Sequence, residues 1–293
     1  METNINTFEQ LSFACEKNHK KIYEIAIDYE VSLGEHSEYR IRLQAKKSLD
    51  AMKEAIKAGL KSTELSPSGM SGNDCDRLQK KFSNKSSILG STAEKIMTYA
   101  LATSEQNLRM GKIVACPTAG SCGIVPAVLI AYAQDYNVAE NDQINALITA
   151  GEVGKLVSNK MSLAGAVGGC QAECGVASAM AASALTQMRG GDIKQVINSV
   201  ALSLKNVLGL TCDPVCGLVE IPCVKRNPFL AIHAVTASEL AMADITSKIP
   251  VDEVVDAMEQ TGKLMSPLLK ESSQGGLAKT KTAIGLEKLI LTK

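Results

Sequence analysis

The spacing of apolar residues constrains this chain most. Over residues 38–61 and 91–110 they recur at intervals of three and four, and β-branched and aromatic side chains are few. That period places one apolar stripe along a helix, and strand-like alternation is scarce, so the fold class is mainly α. Further helices are predicted at 123–136, 141–157, 171–188, 193–208, 228–246 and 251–265. Ser91 with Glu94 reads as a capping box, Gly111 as the stop of that helix, and Asp192 as an N-cap.

The most apolar stretch, 163–185, is built largely of Ala, Gly, Ser and Val and includes Gln171 and Glu173. A bilayer span needs about twenty strongly apolar residues, so this stretch reads as tightly packed interior and no membrane partner is expected. Thirty-one basic residues balance thirty-one acidic ones and only 3% of residues are aromatic, so a nucleic-acid binder's footprint is missing. The first thirty residues mix Glu, Lys, Asp and His with the apolar positions, unlike a signal peptide, and a cytoplasmic chain is expected. Residues 1–293 are read as one catalytic domain. Its first sixty residues are more charged and could form a peripheral helical layer, without a linker to mark a boundary.

Between the predicted helices lie four loops rich in Gly, Pro, Ser and Cys, at 66–73, 115–123, 164–170 and 211–227, where chemistry is expected. Nine cysteines in a reducing compartment read as metal ligands, reactive thiols or buried small hydrophobes. Cys15 and Cys75 stand alone and read as buried thiols. The other seven cluster: Cys116 and Cys122; Cys170 and Cys174; Cys212, Cys216 and Cys223. No C-x-x-C pair exists, which weakens a zinc reading, whereas an iron–sulfur cluster can be gathered from separate loops. Backbone context favours Cys170 after Gly168 and Gly169, Cys212 before Asp213 and Pro214, and Cys223 after Pro222. Cys174 and Cys216, each four residues after one of these, would face the same side if helical. They stay open as ligands or filler, as do Cys116 and Cys122.

The segments Pro117-Thr118-Ala119-Gly120-Ser121-Cys122-Gly123, Gly168-Gly169-Cys170-Gln171-Ala172-Glu173 and Cys212-Asp213-Pro214-Val215-Cys216-Gly217 closely resemble the catalytic α region of the iron–sulfur L-serine dehydratases. So does Glu220-Ile221-Pro222-Cys223-Val224-Lys225-Arg226-Asn227, and the likeness runs from the Ser68-Gly69-Met70-Ser71-Gly72 loop to Gln274-Gly275-Gly276-Leu277-Ala278. The resemblance implies an L-serine ammonia-lyase yielding pyruvate and ammonia. It also implies an oxygen-sensitive [4Fe-4S] cluster held by residues matching Cys170, Cys212 and Cys223, with one iron open to substrate as a Lewis acid. Single-chain members carry a Ser-Ser-His-Thr element that is absent here, so the likeness is to the α chain of the two-subunit form, with a separate β chain as partner. No cysteine follows Cys223, so the C-terminal cysteine that covers the open iron in some members has no counterpart.

The chemistry also needs groups for the substrate carboxylate. Thr118, in a loop leading to a helix N-terminus, is a candidate catalytic and substrate-binding residue. Arg226 is a candidate catalytic residue, and Ser68 and Asn227 candidate substrate-binding residues. Ser71 has a capacity similar to that of Ser68. Each also has a plain reading as a cap or turn residue. The α-proton base stays unassigned among His19, His36, His233 and the lysines, and no convincing phosphate loop supports a pyridoxal route. Two alternatives stand beside serine dehydration: a related cluster-dependent L-cysteine desulfidase, and a non-catalytic iron–sulfur protein.

Overall fold

The computed structural model describes residues 5–291. Thirteen α-helices run through them: α1 (Phe8–Asn18), α2 (Ile22–Ser32), α3 (Glu38–Gly59), α4 (Asp74–Asn84), α5 (Ser91–Leu108), α6 (Ile124–Asp135) and α7 (Glu140–Lys160), followed by the single turn α8 (Gly165–Gly168). Then come α9 (Val176–Met188), α10 (Ile193–Lys205), α11 (Cys223–Met242), α12 (Val251–Leu264) and α13 (Lys281–Leu291). Pairing between extended segments among the described residues is limited to two isolated bridges, one of them joining Cys212 to Lys270. The fold is mainly α.

The small-residue stretch explains the architecture. All residues 176–186 of α9 are buried, and α6, α7, α10 and α11 pack around that helix. A helix apolar on every face belongs in a core, and Ala and Ser let its neighbours approach closely. Its buried hydroxyls are matched: Ser178 donates to Leu230 O at 2.9 Å and accepts from Ser203 at 3.0 Å, and Thr186 donates to Ala182 O at 2.8 Å. Satisfied in this way, they avoid the cost of a bare buried polar group. The charged N-terminal region joins the same core, to which α1 and α2 contribute Phe8, Leu11, Ile22 and Ile25. Asp252, in the first turn of α12, accepts the Phe8 and Glu9 N–H groups at 3.2 and 3.0 Å and so caps the start of α1. No helix among the described residues is long and apolar enough to cross a membrane.

Asp192 caps α10 as expected, in a reciprocal box with Gln195. Three local expectations fail. Gly90, not Ser91, is the N-cap of α5, and the Glu94 side chain accepts the Ser87 N–H instead of closing a box on Ser91. That helix ends at Leu108, before Gly111, because Met110 takes the left-handed conformation (φ 59°) and Gly111 N–H bonds Gln106 O at 2.9 Å. The helix predicted to open at Pro228 opens five residues earlier at Cys223, behind Pro222 at the N-cap, with Pro228 inside it.

Candidate active site

Three elements deliver the cysteines. Cys170 follows α8 across Gly169, whose φ of 75° turns the chain, and leads into a π-type turn, Gln171–Gly175, that runs on into α9. Such wide turns recur at functional sites. The buried Gln171 anchors it, donating to Met258 O and accepting from Gly209 N–H, both at 2.9 Å. Cys212 is pinned by its own backbone, which bonds Leu269 O at 2.8 Å and accepts from Glu271 N–H at 2.6 Å. Cys223 is the first residue of α11, and all three side chains are buried.

Their sulfurs meet. Cys170 Sγ lies 3.4 Å from Cys174 Sγ, with Cys212 and Arg226 close enough to favour its thiolate. Cys223 stands close enough for the charge of Cys170 to act on it, and Glu173 Oε2 lies 4.0 Å from Cys212 Sγ. Arg226 donates to Thr211 O at 2.7 Å and to Asp213 Oδ1 at 3.2 Å. The thiols of Cys174 and Cys212, with the Arg226 charge, hold Cys170 well below the usual thiol range. Those same bonds push Cys174 and Cys212 up, and burial takes Cys223 to about 12. Burial, then the charges of Cys170 and Glu271, raise Glu173 to about 7 although Thr118 hydrogen-bonds it.

Thr118 therefore reaches the cysteine group through Glu173. Its hydroxyl sits 3.1 Å from Ser121 Oγ at the head of the short turn Ala119–Ser121. Asn227 lies beneath that loop, fully buried: Oδ1 accepts from Gly123 N–H at 2.9 Å, and Nδ2 donates to Gly120 O at 2.8 Å and Cys223 O at 2.9 Å. Its amide ties the Thr118 loop to the first turn of α11. Ser68 donates to Glu220 Oε1 at 2.8 Å while Ser66 donates to Oε2 at 2.7 Å, joining the 66–73 loop to the segment before Cys223. Ser71 is buried with its hydroxyl unpartnered.

The remaining candidates lie apart. Cys116 and Cys122 are buried, with Cys122 Sγ directed at Thr103 O, and Cys216 sits on a left-handed residue (φ 57°) under the influence of Glu287 and Glu220. Cys15 and Cys75 are buried in ordinary surroundings, as the sequence reading held. His19 closes α1, His36 is exposed, and His233 pairs with Ser203 O at 2.9 Å. Among the described residues, no three or more His, Cys, Asp or Glu side chains are arranged around a single metal ion. Sequence reasoning missed Glu173, Asp213 and Glu220, although each stands inside a motif already singled out for its cysteine.

Residues 17–278 match the family model described as Serine dehydratase alpha chain. The chain belongs to this family. Among serine dehydratase relatives, it is 44% identical over 269 residues to the "Probable L-serine dehydratase, alpha chain" of Bacillus subtilis, covering 92% of this chain and 89% of that protein. It is 39% identical over 278 residues to the "L-serine dehydratase, alpha chain" of Peptoniphilus asaccharolyticus, covering 95% of both. Against the "L-serine dehydratase" of Helicobacter pylori the identity is 38% over 288 residues, 94% of this chain but 62% of that protein.

Proposed function

We propose that this serine dehydratase α chain removes water from L-serine, giving pyruvate and ammonia, with a [4Fe-4S] cluster held by Cys170, Cys212 and Cys223. The observation that carries this reading is that three buried cysteines from three separate elements stand within electrostatic reach of one another, beside one guanidinium. An all-sulfur donor set suits an iron–sulfur group. At Gly165 a Cβ would come within 2.7 Å of Glu173 Oε2 and 3.0 Å of Cys212 Sγ, so only a glycine lets the turn before Cys170 pack directly against Cys212 and Glu173.

When bound, the cluster supplies a Lewis-acidic iron that assists departure of the substrate hydroxyl. The protein's part is to bind and orient. The Thr118 hydroxyl and the N–H groups at the head of its turn, together with the free donors of Arg226, bind the substrate carboxylate. Asn227 fixes the Thr118 loop relative to Cys223, and Ser68 with Glu220 fixes the neighbouring 66–73 loop, so that the carboxylate groups keep their place. Holding the reacting groups in one geometry removes much of the entropic part of the barrier.

The partner in this reading is a separate β chain. Relatives named as α chains are matched along 89% and 95% of their length, whereas the Helicobacter pylori protein, not named as a chain of two, extends more than a third beyond the match. The whole of 1–293 acts as one catalytic unit, working in the cytoplasm. The test is pyruvate release from L-serine by the anaerobically reconstituted chain, with and without a β chain, and with L-cysteine as the comparison substrate. Turnover of serine that depends on the β chain is expected; sulfide release from cysteine as the faster reaction would replace serine dehydration with desulfidation.

A further inference from the structure

Cys174 stands outside the three cysteines assigned to the cluster, yet its sulfur is 3.4 Å from that of Cys170. Both residues are 1% exposed. The contact is built into the backbone. The π-type turn carries Cys170 and Cys174 four residues apart on one side, Gln171 anchors its start at Met258 and Gly209, and Gly175 fixes its end. A Cβ at Gly175 would come within 2.8 Å of Val207 Cγ2, so α9 and the segment after α10 close tightly behind Cys174.

A cysteine that ligates iron does so as a thiolate, which accepts hydrogen bonds and donates none. The S–H in this pair then belongs to Cys174. Resting on the iron–sulfur reading above, we propose that Cys174 is a positioning residue whose buried thiol donates a hydrogen bond to the Cys170 sulfur and slows loss of the cluster. Hydrogen bonds to ligating sulfurs orient them and tune the cluster, and removing such outer partners costs about 10- to 100-fold in metal affinity. Cys212 has the Glu173 carboxyl beside it and Cys223 has the first turn of α11, so the donor from Cys174 acts on Cys170 alone of the three.

The test compares the wild-type chain, Cys174→Ala, Cys174→Ser and, as a control for a buried thiol elsewhere, Cys75→Ala. Each is reconstituted with iron and sulfide without oxygen, and three quantities are read: bound iron, visible circular dichroism, and the rate of iron transfer to a ferrous chelator. All four should load equal iron. Cys174→Ala should then release it about 10-fold faster or more, with a changed visible spectrum, while Cys174→Ser, which keeps a donor, stays near wild type with Cys75→Ala. Wild-type release and spectrum from Cys174→Ala would overturn the proposal. So would folded Ala and Ser variants that load no iron, since Cys174 would then be a ligand itself. A wild-type chain that loads no cluster would bring down the iron–sulfur reading as well, which separates the two failures.

Discussion

Arg226 and Asp213 form an ion pair of 3.2 Å with 15% and 7% of their side chains exposed. The pair joins α11, one turn after Cys223, to the residue after Cys212, so it sets the distance between two of the three cysteine-bearing elements. Asp213 does a second job, accepting Leu277 N–H at 2.8 Å through its other oxygen. Asp213→Ala would take the carboxylate from a buried guanidinium and leave a backbone donor unmatched, at a cost of about 3 kcal/mol. Urea unfolding should show that loss as a lower midpoint, with Asp213→Asn, which keeps an acceptor for Leu277, recovering part of it. A midpoint unchanged in Asp213→Ala would show that the pair adds nothing.

Two glycines should respond in opposite senses to the same substitution. Gly151 lies exposed within α7 with nothing within 4 Å of an added Cβ, so Gly151→Ala should raise stability by about 0.5–1 kcal/mol. Gly165→Ala instead drives a methyl against Glu173 and Cys212. Iron loading should fall sharply in that variant while its far-ultraviolet circular dichroism stays helical. Equal loading in Gly165→Ala and wild type would mean that the close packing of Gly165 against Cys212 is not needed for the cluster.

Glu105 gives the stability of the chain a pH dependence of defined sign. Its fully buried carboxylate accepts the Asp74 and Cys75 N–H groups at 2.7 and 3.1 Å, capping the start of α4 from within α5. Burial raises its pKa above the usual carboxylate value, against the downward pull of those N–H groups and Arg109. The folded state thus holds the proton more tightly than the unfolded one. This contribution is complete below the unfolded value of about 4.3 and is lost as pH rises through the raised folded pKa. The stability advantage of wild type over Glu105→Gln should therefore shrink as pH rises across that window in a series of denaturation curves. An advantage that grows with pH would reverse the assignment.

What the sequence disclosed follows the range of the interactions. The Asp192 cap acts on a backbone group three residues away, and the apolar period of α3 and α5 is local, so both were readable. The pairing of Ser66 with Glu220 spans 154 positions, and no composition or spacing encodes it. Pro228 misled because proline suits a first helical turn, and Pro222 six residues earlier had the same entitlement. At the candidate site, glycine and proline context singled out Cys170, Cys212 and Cys223, three buried residues on three separate elements. Cys174 stayed undecided because a four-residue spacing puts two thiols on one face only once the chain between them is known to be helical.

The central claim is that Cys170, Cys212 and Cys223 hold an iron–sulfur cluster on which serine turnover depends. Its most direct measurement is the iron and acid-labile sulfide content of the anaerobically purified chain and of its Cys170→Ala, Cys212→Ala and Cys223→Ala variants, with Cys15→Ala as control. The account predicts a brown wild-type chain and Cys15→Ala control with iron and sulfide in equal amounts, and colourless, folded variants at each of the three positions. A brown Cys212→Ala chain that turns over serine when mixed with the β chain would contradict it.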